Sequence, residues 1–362
     1  MIKKYFIYLA SVCLSFSAIA KTGVFPKQDF DQLSYGLYWF GAGDQYQKAG
    51  PNTRNGGTYY DPSKPTLILI HGWQSNHIAN QDRTVYWETN NGAPNIDFAN
   101  IWQSQGYNVA MLYWDQFADE FEVKDAEAKI WSANGPRKMR WRDSQGNYHN
   151  GPNQNVTELL LQQYLTAMQG YRGNDIRFAG HSLGNQVALR LADRLASLAD
   201  TGQIAENIVP KRVSLLDAFY SNYSKDYLDG RWVGEAAREA VSRLKPRGVA
   251  IDSYRTSSLT STPFVGDENR ALHNSVAFVE LLTQFFNQSQ QSEKHGAAIW
   301  LYLWSIIYPT PVVTDSSMPG ISAASTHAEV RRWMATTDHL IQVAGGSSKD
   351  PQDNLFETDS AL

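Results

Sequence analysis

A serine lies between two glycines in IRFAGHSLGNQVALRL, residues 176–191. Gly180-His181-Ser182-Leu183-Gly184 has the Gly-x-Ser-x-Gly spacing of a nucleophilic serine on a strained strand-to-helix turn. The spacing alone is weak, because a chain of this length contains it by chance in about one case in eight. An apolar, strand-like run precedes this turn and a helical pattern follows it, and the N–H groups at the start of a helix favour negative charge there. We therefore predict that Ser182 is a nucleophile and not a helix cap.

A nucleophilic serine needs N–H donors for the oxyanion that forms during acyl transfer. The residue after the nucleophile supplies one of them, which here is Leu183. A second donor is expected on the loop after an earlier strand, and TLILIHGW at residues 66–73 contains such a loop. Gly72 allows the backbone to approach closely, so we predict that the N–H of Trp73 is the second donor. We expect His71 to shape this loop by hydrogen bonding and not to act as the base.

The elements that must position these residues alternate between apolar runs and helical patterns. Near-continuous apolar runs separated by helices predict an α/β protein with a mostly parallel sheet covered on both faces. The runs are TLILI (66–70), NVAMLYW (108–114), DIRFAG (175–180), RVSLL (212–216) and GVAIDSY (248–254).

Four further segments are less regular. The Tyr- and Gly-rich segments YGLYWFGAGDQY and GGTYYDP predict an antiparallel pair at the sheet edge. SVAFVELLTQFF, residues 275–286, has apolar residues at helical spacing and predicts a helix. Residues 116–155 separate a strand from the next helix by more than an ordinary connection, and aromatic side chains lie among their charges. We expect a partly ordered cap or lid there.

The first twenty residues have the features of a secretory signal peptide. Lys3 and Lys4 precede an apolar run that is short for a bilayer span, and Ala18-Ile19-Ala20 is a small-x-small cleavage pattern. We therefore predict a secreted or periplasmic protein in which residues 21–362 form a single domain. The only cysteine, Cys13, lies in the segment predicted to be removed, so no disulfide, thiol nucleophile or cysteine metal site is expected.

The composition of the 362-residue chain is that of an ordinary globular protein, with 42% hydrophobic and 19% charged residues. Its net charge of -4 and the absence of a basic block argue against nucleic acid as the main partner. The 11 Trp and 19 Tyr residues are numerous enough to line an apolar pocket as well as a core.

LILIHGW followed by FAGHSLGNQVA resembles the α/β-hydrolase fold and, within it, the secreted lipases of the pancreatic-lipase type. NVAMLYWD is similar to the strand of those lipases that ends in Trp-Asp. The resemblance extends over residues 66–217, but the family's multiple disulfides and a second lipid-binding domain are absent, so a bacterial relative is expected. It implies an α/β-hydrolase fold with one lid-like insertion, ester hydrolysis, and lipid esters as the substrate class.

The triad order Ser, then Asp or Glu, then His places the acid downstream of Ser182. Asp217 ends the run RVSLLD at the sheet edge where catalytic groups collect. LLDAF is also similar to the Leu-Asp-Pro context in which the lipases carry their acid. Asp252 in VAIDSY is the alternative acid, but it falls in the middle of its run. We favour Asp217.

Four histidines follow Asp217 in the chain. His273 fits the base best, because it follows a strand and a polar loop and precedes the segment predicted as a helix. ALHNSVAFVE also resembles the base region of the lipases, although it lacks their cysteine two residues before the histidine and their arginine two residues after it. His327, which opens a helix, ranks second, and His295, which precedes GAAIWLYLWSII, ranks third. His339 lies within a predicted helix and is not favoured.

These residues predict a two-step acyl transfer that needs no metal or organic cofactor. The expected partner is a lipid or small-molecule ester, and transient contact with a lipid surface is compatible with this chemistry. Two other hypotheses stay open, namely a serine peptidase or amidase on the same fold and a non-enzymatic binding protein that has kept the fold.

Overall fold

The computed structural model of the protein describes residues 25–79, 83, 85, 87, 92–260 and 266–360. The predicted signal peptide, residues 1–20, lies outside these residues. None of the described helices combines the length and the apolar character that crossing a membrane requires.

The described residues contain thirteen strands and nine α-helices, numbered in chain order. The strands are β1 (Gly36–Phe40), β2 (Tyr46–Lys48), β3 (Thr66–Ile70), β4 (Asn108–Tyr113), β5 (Trp141–Arg142), β6 (Tyr148–His149), β7 (Ile176–His181), β8 (Arg212–Leu216), β9 (Ala250–Arg255), β10 (Ala277–Glu280), β11 (Val312–Val313), β12 (His339–Ala344) and β13 (Leu355–Asp359). The helices are α1 (Phe98–Ser104), α2 (Asp115–Ala118), α3 (Val123–Trp131), α4 (Val156–Met168), α5 (Gly184–Asp200), α6 (Val233–Leu244), α7 (Arg270–His273), α8 (Gln291–Trp304) and α9 (His327–Trp333).

Eleven of the described strands form one sheet in the order β11-β13-β12-β10-β9-β8-β7-β3-β4-β1-β2. Its central neighbours, from β4 through β3, β7, β8, β9 and β10 to β12, are all parallel. Antiparallel pairs occur only towards the two sides of this described sheet, at β1 with β4 and β2 and at β12 with β13. Every residue of β7 and β8 is buried, which requires cover on both faces. The predicted mostly parallel sheet covered by helices is confirmed.

The predicted apolar runs correspond to β3, β4, β7, β8 and β9, with ends that differ by no more than two residues. The Tyr- and Gly-rich start forms β1 and β2, an antiparallel pair at the sheet edge as predicted. GGTYYDP forms turns around a single bridge between Gly57 and Tyr60 instead of a strand.

The helix predicted over residues 275–286 is wrong. Its first part is strand β10, which lies between β9 and β12 and pairs in parallel with both. A strand that is buried on both faces is apolar at nearly every position, so its sequence also satisfies a helical spacing over a few residues. The rest of the segment is a turn in which Leu281 N donates to Arg255 O at 2.8 Å.

The insertion over residues 116–155 is largely ordered, with most of α2, all of α3 and the hairpin of β5 and β6. Seven of the nine α3 residues are buried, including Glu127 and Lys129. Lys129 Nζ donates to Glu120 Oε1 at 2.6 Å and to two main-chain oxygens, so all three of its N–H bonds have acceptors. The insertion is therefore tied to the domain through buried charges as well as through apolar contacts.

An ion pair between Arg212 of β8 and Asp252 of β9 lies fully buried within the sheet. Nη2 and Nε of the guanidinium donate to the carboxylate at 2.6 and 3.1 Å. Nη2 also donates to Ser322 O, and Nη1 donates to Ser325 O. Ser214 Oγ donates to the same carboxylate at 2.8 Å. The Asp252 carboxylate therefore helps to hold the loop around residues 322–325 against the sheet through Arg212. The alternative assignment of Asp252 as the acid is wrong.

The substitution Asp252→Ala is expected to lower the free energy of unfolding by about 3–5 kcal/mol, because it leaves the Arg212 charge buried without its partner. Urea unfolding at pH 7 measures this loss. The matched control is Glu239→Ala, which breaks the exposed Arg231–Glu239 pair and should cost less than about 1 kcal/mol. Equal losses for the two variants would contradict this role of Asp252.

Candidate active site

Ser182 is the first residue of a two-residue turn between the end of β7 and the start of α5. Its φ of 54° is in the left-handed region, which costs an L-residue about 1–2 kcal/mol. The two flanking glycines make the turn possible. A Cβ at Gly180 would lie 2.7 Å from Asn185 N, and one at Gly184 would lie 2.7 Å from His71 O. Neither position has room for a side chain, so the Gly-x-Ser-x-Gly spacing is a packing requirement of this turn.

Asn185, which the sequence analysis did not single out, fastens the turn to the neighbouring strand. Its side-chain Nδ2 donates to Ser182 O at 2.9 Å, and its Oδ1 accepts from Leu216 N at 3.0 Å. Ser182 N also donates to Leu216 O at 3.1 Å. The turn and the end of β8 therefore form one hydrogen-bonded unit, and Asp217 follows directly. An amide three residues after the serine, at the start of a helix, was the available sign.

The loop after β3 packs directly on the serine turn. A Cβ at Gly72 would lie 2.7 Å from Ser182 Cβ and 3.2 Å from Leu183 N, so this position requires glycine. His71 Nε2 accepts from Trp114 N at 3.0 Å, which leaves the proton on Nδ1, and Nδ1 donates to Gly72 O at 2.9 Å. Because the C=O and N–H of a trans peptide point in opposite directions, the Trp73 N–H is directed away from the His71 ring. His71 shapes the loop as predicted, and burial lowers its pKa to about 4.

The insertion holds the other side of this loop. Trp73 Nε1 donates to Glu120 O at 2.7 Å. The Asp119 carboxylate accepts from Asn76 N at 2.6 Å and from Ile78 N at 3.1 Å. Asp119 is fully buried, and this burial raises its pKa against the opposing effect of Arg142. The sequence analysis missed this anchoring, for which the acidic pair in ADEF was the only sign.

Asp217 is joined to a histidine by a short charge-assisted hydrogen bond. Its Oδ2 accepts from His295 Nδ1 at 2.6 Å, and its Oδ1 accepts from Thr256 N at 3.0 Å and from Ser257 N at 3.3 Å. Ser257 Oγ also donates to Oδ2. Asp217 and His295 are 1% and 8% exposed, so the carboxylate acts on the imidazole ring in a poorly solvated site. This arrangement fixes both the orientation and the tautomer of the His295 ring.

His295 lies against the residue that precedes the serine. His181 Nε2 donates to His295 O at 3.0 Å, and the two ring centroids are 4.4 Å apart. Burial lowers the pKa of His181 well below its usual range, so His181 is neutral. Since His295 Nδ1 is bonded to Asp217, Nε2 is the ring nitrogen that a proton transfer with Ser182 has to use.

The predicted pairing of Asp217 with His273 is wrong, because Asp217 bonds to the third-ranked histidine instead. His273 is buried at the end of α7 with its ring 4.3 Å from that of Phe278, and its Nδ1 has no hydrogen-bond partner among the described residues. His273 fits a base on a loop before a helix only if residues 275–286 are helical, and strand β10 removes that context. The histidine that meets Asp217 comes from α8, after the next turn.

The second-ranked histidine lies at the opposite edge of the sheet. His327 Nε2 is 3.2 Å from Asp175 Oδ1, and Asp175 immediately precedes β7. Ser182 immediately follows β7, so the six residues of that strand separate the two sites by about 20 Å. His327 is therefore not brought to the serine.

No group of three or more His, Cys, Asp or Glu side chains arranged to hold a metal ion occurs in the part of the chain that the structure describes. The residues that come together are a serine on a strained turn, a buried carboxylate and a histidine bonded to that carboxylate. A parallel sheet, a serine turn after its central strand and the chain order Ser182, Asp217, His295 are the features of the α/β-hydrolase fold.

No protein-family model matches the chain, and a search among curated proteins found no match. The chain is similar to a poly(3-hydroxybutyrate) depolymerase from Bordetella parapertussis, with 11% identity over 67% of each chain and a TM-score of 0.32. It is also similar to an S-formylglutathione hydrolase from Agrobacterium tumefaciens, with 14% identity, a TM-score of 0.29, and coverage of 54% of this chain and 66% of that one. A thioesterase domain from the curacin biosynthetic pathway gives 15% identity, a TM-score of 0.22, and coverage of 47% and 42%. The last two are covered over less than two thirds of their own length.

The pH dependence of stability offers a test of the buried position of His273. Its pKa is lowered to about 3, first by burial and then by Arg255, so in the folded protein the ring stays neutral below the usual value of 6.5. The unfolded chain binds this proton first as the pH falls, so the folded state loses stability between pH 6.5 and about pH 3. The variant His273→Leu lacks this loss. Between pH 7 and pH 4.5, its free energy of unfolding should fall by about 2–3 kcal/mol less than that of the wild type.

Urea unfolding at the two pH values measures this difference. His149→Leu serves as the control, because His149 is exposed and forms a surface pair with Asp143. Parallel pH curves for the wild type and His273→Leu would show that the buried ring does not titrate in this way.

Proposed function

We propose that the protein is a serine hydrolase that cleaves carboxylic esters, with Ser182 as nucleophile, His295 as base and Asp217 as acid. The observation that carries the proposal is the 2.6 Å bond from His295 Nδ1 to Asp217 Oδ2, made by a histidine that contacts His181, the residue before Ser182. A buried carboxylate, a histidine and a serine at a strained turn are the three parts that activate a hydroxyl for attack on a carbonyl.

In the first step His295 Nε2 accepts the Ser182 proton as Ser182 Oγ bonds to the ester carbonyl carbon. Asp217 stabilises the imidazolium that forms and keeps its ring in place. Collapse of the tetrahedral intermediate breaks the C–O bond, and His295 returns the proton to the leaving alcohol. Water then attacks the acyl-enzyme with the same histidine as base, which releases the acid and restores Ser182.

The N–H groups of Leu183 and Trp73 are proposed to stabilise the oxyanion. The contact of Gly72 with both Ser182 and Leu183 supports this assignment, because it brings the two backbone segments together at the serine. Ser182 is only 9% exposed and Leu183 is fully buried, so donors at this site act at a low effective dielectric.

Lipid esters are proposed as the substrate class, in line with the resemblance to secreted lipases. Apolar side chains close to the serine support an acyl site. Phe219 N donates to Ser182 O at 3.4 Å and its ring is 6% exposed, and Leu183 adjoins the nucleophile. Secretion of the protein, which depends on residues 1–20, is part of the same proposal.

The triad is tested by measuring the hydrolysis of p-nitrophenyl butyrate by the wild type, Ser182→Ala, His295→Ala and His273→Leu. Loss of Ser182 or His295 is expected to lower kcat by about 10³–10⁶-fold, because each removes the activated nucleophile. His273→Leu should stay within about threefold of the wild type at pH 7. Labelling by a fluorophosphonate probe should be lost in Ser182→Ala.

An active His295→Ala with an inactive His273→Leu would reverse the assignment of the base. Equal activity of all four proteins would remove the hydrolase proposal and favour a binding protein. Rapid hydrolysis of matched p-nitroanilides with slow hydrolysis of the esters would favour an amidase or peptidase.

The substrate class is tested with p-nitrophenyl esters of two to sixteen acyl carbons. Burial of each further CH₂ is worth up to about 0.8 kcal/mol, so kcat/KM should rise by up to about fourfold per carbon until the acyl site is filled. A maximum at the acetate ester, with falling rates thereafter, would contradict the lipid-ester assignment and indicate an esterase for small substrates.

A further inference from the structure

The loop of residues 217–221, here named the acid loop, carries Asp217 away from the end of β8. Asp217 itself has a φ of 44°, a left-handed conformation that neighbouring contacts have to offset. Its N–H donates to Tyr254 O at 2.7 Å, which fixes only the start of the loop. The carboxylate accepts hydrogen bonds from Thr256 and Ser257, and the backbone that carries it is positioned by what holds the rest of the acid loop.

Glu127 of α3 holds the far end of the acid loop. Its Oε1 accepts from Ser221 N at 2.9 Å, and its Oε2 accepts from Ser221 Oγ. Lys225 Nζ donates to the same Ser221 Oγ at 2.8 Å and lies 4.0 Å from Glu127 Oε2. The carboxylate has no exposed surface, and this burial raises its pKa. Burying a carboxylate with only one distant cation costs free energy, and its hydrogen bonds have to offset that cost. A residue retained at this cost is a candidate for a structural role in the site.

Gln186 connects the same carboxylate to the serine turn. Gln186 lies in the first turn of α5, and its Nε2 donates to Glu127 Oε1 at 2.7 Å and to Phe219 O at 2.8 Å. Its Oε1 accepts from Trp131 Nε1 at 2.6 Å, which also fixes the orientation of the amide. Phe219 N in turn donates to Ser182 O. The acid loop is thus held at Phe219 and Ser221 by side chains that meet at Glu127.

The groups around Glu127 come from the acid loop, from the residues that follow it and from α5. The acid loop contributes Ser221 and Tyr220, and the following residues contribute Lys225 and Tyr227. Burial raises the pKa of both tyrosines. Gln186 faces it from α5. The groups that bond to the carboxylate all act as donors, so only a side chain with acceptor oxygens can satisfy them.

We propose that Glu127 is a positioning residue for Asp217. It acts through the hydrogen bonds of its Oε1 to Ser221 and Gln186, which hold the acid loop in the geometry that aligns Asp217 with His295. The inference rests on the proposed function and deepens it, because it assigns part of the insertion to the alignment of the triad. The insertion is then a fixed support of the site on the α3 side.

The test compares Glu127→Ala with Glu127→Gln by kcat per active site, where the sites are counted by titration with a fluorophosphonate. Glu127→Ala removes both Oε1 bonds and is expected to lower kcat by about 10–100-fold with KM changed by less than threefold, since small displacements of catalytic groups have effects of this size. Glu127→Gln keeps an acceptor oxygen for Ser221 and Gln186 and should stay within about threefold of the wild type.

The pH profile separates positioning from a general loss of stability. A well-placed carboxylate favours the protonated form of its imidazole partner, so misalignment should move the acid limb of kcat/KM to lower pH in Glu127→Ala. The matched control is Asp125→Ala on the same helix, where Asp125 pairs with the half-exposed Arg137. Asp125→Ala should lower the melting temperature without changing kcat per site or the pH profile.

If Glu127→Ala does not fold, Gln186→Met is the second variant. It removes the hydrogen bonds of the Gln186 side chain to Phe219 O and Glu127 Oε1, and the same fall in kcat per site is expected. A Glu127→Ala enzyme with wild-type kcat per site and an unchanged pH profile would overturn the inference while leaving the proposed function intact. A Glu127→Gln enzyme as impaired as Glu127→Ala would overturn the hydrogen-bond mechanism. A wild type that neither reacts with the probe nor cleaves esters would overturn the proposed function itself.

Discussion

The parallel pairing of β7 with β8 is the constraint on which the site depends. In this register His181 lies opposite Leu216, so the next residue of each strand, Ser182 and Asp217, leaves the sheet at the same edge. The bond from Ser182 N to Leu216 O continues the pairing one step beyond the strands. Both residues have left-handed backbone conformations. These strained conformations direct the two side chains out of the sheet. A slip of the register would separate Ser182 from Asp217.

The insertion supports both halves of the site with buried carboxylates. Asp119 accepts two main-chain N–H groups of the loop after β3, and Glu127 accepts the N–H of Ser221 on the acid loop. A protein with buried charges is seldom more stable than one with apolar residues of similar size at the same positions. Buried charges do, however, require a specific geometry, because each of their hydrogen bonds has to be satisfied. The insertion therefore has the properties of a support with one fixed shape, and fewer of those of a mobile cover.

The identity of the histidine that bonds to Asp217 depends on one element, β10. His273 and His295 are separated by β10 and a turn, and the choice between them depended on whether residues 275–286 formed a helix. Local periodicity favoured the helix, because apolar residues in a central strand satisfy both patterns. Only the pairing of β10 with β9 and β12 identifies the segment as a strand. The hydrogen bond from His181 Nε2 to His295 O then holds α8 close to the serine turn. This bond joins residues that are 114 positions apart in the chain.

The sequence by itself determined the parallel sheet, the serine turn with its two glycines, the close-packed loop at Gly72 and the position of Asp217 at the end of β8. These features depend on residues that are close in the chain, where apolar runs, glycines and strand ends leave local signs. Only the tertiary structure decided which histidine meets Asp217, that Asp252 belongs to Arg212, and that Glu127 and Asp119 brace the site. Those contacts join residues 40 or more positions apart, and local spacing carries no information about which distant carboxylate a buried donor will find. Long-range pairing follows from how the helices pack on the finished sheet.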